Sequence, residues 1–182
     1  MHIRLSIQLF ALSLWLTACG GGQQTATEEV AESALPAWAL GEFVRPEGKN
    51  PVITPNPESR FDCPMRQASV GWEESDTFNP AAVVKDDTIC VLYRAEDNSA
   101  TGIGMRTSRI GLAQTTDGVT MIRRAAPVMY PAEDNAKAYE WEGGCEDPRV
   151  AVTEDGLYVM LYTAWNRDVP RLSVATSRDL LT

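Results

Sequence analysis

The run Gly143-Gly144-Cys145-Glu146-Asp147-Pro148-Arg149 sets two carboxylates and a guanidinium on a glycine-hinged turn directly ahead of an apolar strand. A carboxyl carried into a partly desolvated pocket by such a turn stays protonated near neutral pH and can give its proton to a leaving oxygen. Asp-Pro is also an ordinary turn starter, so residue type alone leaves Asp147 open between an acid and a turn. Acid–base chemistry in this chain must fall to carboxylates. The only histidine is His2, which excludes a Ser-His-Asp triad, a Cys-His pair and an HExxH zinc site from the rest of the chain.

The elements that must position Asp147 occur twice. Asn79-Pro80-Ala81-Ala82-Val83-Val84, a turn at Asp86-Asp87, and Ile89-Cys90-Val91-Leu92-Tyr93-Arg94 match Asp147-Pro148-Arg149-Val150-Ala151-Val152, a turn at Asp155-Gly156, and Leu157 to Thr163. Asn79 and Asp147 stand 68 residues apart and Tyr93 and Tyr162 69 apart, so one residue is inserted at the second turn. A third strand follows each copy, Ser108 to Thr115 and Pro170 to Ser177, closed by Asp117-Gly118 and by Arg178-Asp179. Repeats of short antiparallel strands bury faces that one copy cannot cover alone, as stacked sheets or propeller blades. The expected fold class is all-β, with about two blades of a β-propeller; a small β-sandwich is the alternative.

Composition sets further limits. The chain has 182 residues, 16 Lys+Arg against 25 Asp+Glu and a formal net charge of −9. That balance makes nucleic acid an unsuitable partner. Residues 1–18 hold Arg4, an apolar run from Leu5 to Leu16, and Thr17-Ala18 before Cys19. The run is too short to span a bilayer and reads as a signal peptide; small residues before a cysteine resemble the bacterial lipobox, with Cys19 lipidated. Residues 19–35 are Gly-, Gln-, Thr-, Ala- and Glu-rich without a packing period and form a flexible tether. The expected location is the bacterial cell envelope, lipid-anchored on an outer-membrane or periplasmic face. Residues 36–182 form the folded part, which stops right after a third strand and is expected to continue in a longer protein.

Cys63, Cys90 and Cys145 lack CxxC spacing, and no zinc site is expected. Cys90 reads as a core residue. Cys63 and Cys145, both beside turns in an oxidising compartment, could form a disulfide. Val70 to Glu74 reads as a short edge strand, Glu73-Glu74-Ser75-Asp76 as a solvated acidic loop, and no helical period follows the signal segment.

In order and spacing, FNPAAVV, VLYRAED, SRIGLAQTTDG, GGCEDPRV and LYTAWN resemble the N-terminal part of glycoside hydrolase family 130, which contains β-mannoside phosphorylases and inverting β-mannosidases. The resemblance runs from Trp38 to Thr182. It implies a five-bladed propeller, here only in part, that cleaves β-mannoside oligosaccharides with inversion and without cofactor, inorganic phosphate being co-substrate in a phosphorylase. It also implies that Asp147 is the general acid, that Asn79 and Arg94 contact the mannose, and that Arg109 lies near them.

The residue types suit these roles. An amide can donate to and accept from vicinal hydroxyls, and a guanidinium offers oxygens a planar fork. Glu146 could pair with Arg149 or Arg94 as a positioning ion pair. Asn166 and Arg167 after Trp165 could hold sugar or phosphate. Trp72, Trp141 and Tyr139 could be sugar platforms or core. In an inverting hydrolase a second carboxylate activates water about 6.5 to 9.5 Å from the acid, whereas a phosphorylase needs no such base. An exported enzyme would lose sugar phosphate outside the cytoplasm, which favours hydrolysis. A noncatalytic carbohydrate-binding lipoprotein and an inactive fragment remain as alternatives.

Overall fold

A computed structural model describes residues 35–36, 38–102 and 104–181. The expected signal peptide, most of the expected tether and Cys19 lie outside the described residues. The chain divides into two units at Phe43/Val44, and the second, from Val44 onward, holds every strand of the described residues.

Two antiparallel meanders dominate that unit. The first runs β3 (Asp76–Lys85), β4 (Thr88–Glu96), β5 (Ser108–Thr115) and β6 (Ile122–Arg123); the second runs β7 (Gly144–Val152), β8 (Tyr158–Trp165) and β9 (Pro170–Ser177). A hairpin of β1 (Phe61–Cys63) and β2 (Ala68–Val70) precedes them, and α1 (Lys137–Glu140) is a single turn between them. The all-β expectation holds. Lys85 pairs with Thr88 across Asp86 and Asp87, both left-handed (φ 48° and 58°), the backbone that a two-residue hairpin turn requires. The inserted residue of the second copy falls in the corresponding turn, where Val152 pairs with Tyr158.

The β4–β5 pair is buried on both faces. On one, Cys90, Leu92, Ile110 and Leu112 pack against Tyr158, Met160 and Tyr162 of the second meander. On the other, Val91, Tyr93, Ala95 and Ala113 enclose Trp72, backed by Ile53, Phe61 and Val70. Burial on two sides explains why β4 is a continuous apolar run up to Arg94. One parallel pairing, Ser108 with Gly144, joins the meanders. Gly144 (φ 115°) is required there, because a Cβ would sit 2.1 Å from the Ser108 carbonyl oxygen.

Three expectations are corrected. Val70 to Glu74 is not a strand: pairing ends at Val70, and the chain turns so that Trp72 is fully buried with its indole donating to the Ala125 carbonyl at 3.1 Å. Glu73 is not solvated, since burial places it between the Tyr93 hydroxyl (2.8 Å) and Arg123 (3.2 Å). Cys63 and Cys145 are free and buried. The Cys63 sulfur faces the Arg109 guanidinium at 3.4 Å, and Cys145 lies against Glu140, with burial pushing its thiol well up.

Candidate active site

The two copies carry the same irregularity at the same place. Between Phe78 and Ala81, Asn79 and Pro80 stand opposite Tyr93 alone; between Glu146 and Arg149, Asp147 and Pro148 stand opposite Tyr162 alone. These are β-bulges, in which two residues face one and the extra side chain is re-aimed. Asn79 (φ 47°) and Asp147 (φ 52°) are left-handed, a conformation that Asn and Asp tolerate better than other non-glycine residues. Proline is accommodated next to each because its missing N–H leaves no ladder bond unmade at a bulge.

The bulges face each other. Asn79 Nδ2 donates to Asp147 Oδ1 at 2.9 Å, and Arg94 Nη1 reaches the same oxygen at 3.2 Å. Oδ2 accepts no hydrogen bond among the described residues. The Asp147 side chain is 36% exposed, whereas Arg94 is 5% exposed. The acid therefore stands at a surface on a buried cation.

Arg94 is the hub. Its Nη2 is 2.6 Å from Glu96 Oε1 and 2.8 Å from Glu146 Oε1, its Nε donates to Ser108 Oγ at 3.1 Å, and its guanidinium lies 4.6 Å from the centre of the Phe78 ring. Strand alternation and register explain the grouping: Arg94 and Glu96 share a face of β4, and Ser108 is opposite Glu96 on β5. Glu146 pairs with Arg94, one of its two expected partners. Burial raises its carboxyl above the usual range, against the opposing pull of Arg94 and the Ser108 hydroxyl.

Other sequence-derived candidates lie elsewhere. Arg109 projects from the opposite face of the sheet, is fully buried, and pairs with Asp97 at 2.9 Å. It is a core ion pair and not part of this cluster. Burial works against the Asp97 charge, but Arg109 outweighs it and holds the carboxyl below its usual range. Arg149 is exposed and donates to the Pro148 carbonyl. Asn166 donates to the Ala138 carbonyl at 3.1 Å and accepts from the Asp168 and Val169 amides, holding its loop. Arg167 Nη1 meets Glu142 at 2.6 Å, with Nε and Nη2 buried and unpaired. Trp72 is core; Trp141 lies 5.1 Å from Arg66 and Tyr139 5.3 Å from Arg171.

Sequence reasoning missed Glu96, Ser108 and the ring of Phe78, although all three lie inside or beside recognised motifs. It also missed Glu140, which is buried and accepts from the Tyr162 hydroxyl at 2.6 Å, as Glu73 does from Tyr93. Each copy thus supports its bulge through the tyrosine opposite. Among the described residues no cluster of three or more His, Cys, Asp or Glu could hold a metal ion.

The paired bulges set an acid on a buried guanidinium, and comparison with known proteins gives the class of protein that carries them. Residues 47–182 match the sequence profile of glycoside hydrolase family 130, described as β-1,4-mannooligosaccharide phosphorylase, and the chain belongs to that family. It is 36% identical over 121 residues to a 1,2-β-oligomannan phosphorylase of Thermoanaerobacter sp. (strain X514), covering 64% of this chain and 39% of that protein. A glycosyl hydrolase from Bacteroides ovatus is 59% identical, with a TM-score of 0.78, over 81% of this chain and 42% of that one. A further solved structure, also 59% identical with a TM-score of 0.78 over 81% of this chain and 41% of its own, was described with family members that are glycoside hydrolases targeting β-1,2 mannosidic linkages in Candida mannan. The chain therefore spans about two fifths of the length of these relatives.

Proposed function

We propose that the protein is an inverting β-mannosidase acting on β-1,2-linked mannosides, with Asp147 as general acid. The observation that carries this reading is the double hold on Asp147 Oδ1 by Asn79 and Arg94, which leaves Oδ2 free. With Oδ1 accepting from two donors, Oδ2 is the oxygen through which this side chain would hand a proton to substrate. Transfer from Oδ2 toward the glycosidic oxygen, directly or through a sugar hydroxyl, lets the bond from anomeric carbon to oxygen break. Water then attacks the opposite face and loses its proton to a base. Glu96 and Glu146, both committed to Arg94, are not that base.

The reading extends to the architecture: the two meanders are blades of a five-bladed propeller whose inner strands are β3 and β7. It extends also to an envelope enzyme tethered through a lipid at Cys19. Hydrolysis is favoured over phosphorolysis by the 59% identity to a structure described with β-1,2-targeting hydrolases and by the cost of releasing sugar phosphate outside the cytoplasm. The phosphorylase reading is supported by the oligomannan phosphorylase relative.

Incubating the full-length protein with β-1,2-mannobiose, with and without inorganic phosphate, separates the readings. Mannose released at the same rate in both supports hydrolysis, and mannose 1-phosphate formed only with phosphate supports phosphorolysis. Binding without cleavage in either would overturn the enzyme reading in favour of a carbohydrate-binding protein.

A further inference from the structure

Two buried carboxylates compete for the same two donors. Glu96 Oε1 lies 2.6 Å from Arg94 Nη2 and 3.3 Å from Ser108 Oγ; Glu146 Oε1 lies 2.8 Å from that nitrogen and 3.1 Å from that hydroxyl. Ser108 has one hydroxyl proton and can satisfy only one of them, since its Oγ already accepts from Arg94 Nε. Glu96 is 0% exposed and Glu146 11%, so water does not make up the difference. Glu96 Oε2 is buried without a hydrogen bond, with Arg106 Nη1, itself held by Asp76, at 3.6 Å.

The charges do not balance if every acid is ionised. The groups gathered here are Arg94 and Glu96 from β4, Arg106 ahead of β5, Asp76 from β3, and Glu146 and Asp147 from β7. Arg106 and Asp76 offset each other, which leaves three carboxylates around Arg94 alone. Like charges held in one dry site oppose each other's ionisation, so one of the two acids takes up a proton.

We propose that Glu96 is a positioning residue that shares a single proton with Glu146, the pair serving Arg94 as one monovalent counter-ion so that the guanidinium keeps charge for the carboxylate that Asp147 becomes on giving up its proton and for substrate bound beside it. The raised carboxyl of Glu146 agrees with this arrangement. The role in catalysis rests on the reading of Asp147 as the acid; the shared proton does not.

Two measurements on the full-length protein test it. Infrared difference spectra at neutral pH are expected to show a protonated-carboxyl band that disappears in Glu96→Gln, and in Glu146→Gln should the first variant fail to fold. Identical bands in wild type and variants overturn the proposal. In kinetics against pH, Glu96→Gln preserves the charge of the protonated pair and is expected to lower kcat/KM by about threefold, with one titration step lost, against about tenfold or more for Glu96→Ala. A plain ionised counter-ion predicts equal damage from both, and that result overturns the proposal. If wild type cleaves no β-mannoside, the functional reading fails while the infrared result still decides the proton.

Discussion

Asn79 Nδ2 lies 2.9 Å from Asp147 Oδ1, a contact between equivalent positions of two copies of one structural unit. Duplication gave two identical bulges, and a difference of one side-chain group, amide against carboxyl, made one the holder and the other the held. Removing the amide in Asn79→Ala leaves Arg94 as the single donor to Oδ1 and frees the carboxyl to rotate. The turnover of the full-length enzyme on β-1,2-mannobiose should fall about tenfold or more, the scale expected when one preorganised donor is lost. Retained wild-type turnover would show that the contact does not orient the acid.

Arg94 carries structural as well as functional weight. Replacing it with Met leaves Glu96 and Glu146 buried without their cation, at a cost of about 3 to 5 kcal/mol. Urea unfolding at neutral pH should show that loss in full, with Arg94→Lys in between because an ammonium cannot reproduce the fork that reaches Glu96, Glu146, Asp147 and Ser108 together.

The joint between the meanders is equally open to test. Gly144→Ala would drive a methyl to 2.1 Å from the Ser108 carbonyl and strain a φ of 115°. The expected outcome is destabilisation of about 1 to 3 kcal/mol in thermal or urea unfolding, together with reduced activity, because Ser108 also holds Arg94.

Glu140 gives a pH signature. Burial raises its carboxyl above the ordinary 4.5, although the hydrogen bonds from Tyr162 and Cys145 oppose the rise. The folded state then keeps a proton that the unfolded chain releases above 4.5, so this residue lowers stability as pH climbs from there through its folded pKa. Glu140→Gln, which can still accept from the Tyr162 hydroxyl, should flatten that part of the stability–pH curve and raise stability at neutral pH. A curve unchanged from wild type would contradict the assignment.

Much of this was readable from the residues. The repeat, its strands, the inserted turn residue and the equivalence of Asn79 and Asp147 follow from pattern, because a period of two and turn chemistry are local signals. What stayed hidden depends on which face of a strand meets which neighbour. Arg109 and Ser108 are adjacent in sequence, yet alternation sends Ser108 to Arg94 and Arg109 to Asp97 on the far side. Glu73 reads as solvated because acids usually are, Glu140 carries no local signal, and only the tyrosines opposite the bulges reveal why both are buried. Asn166 and Arg149 have types suited to sugar, but their hydrogen bonds go to nearby backbone.

The acid itself remains the sharpest test. Asp147→Asn keeps the acceptor that Asn79 and Arg94 bind and removes the proton, so the full-length variant should still bind β-1,2-mannobiose while its cleavage rate falls by about 10² to 10⁴. Cleavage by the variant at the wild-type rate would contradict the assignment of Asp147 as proton donor.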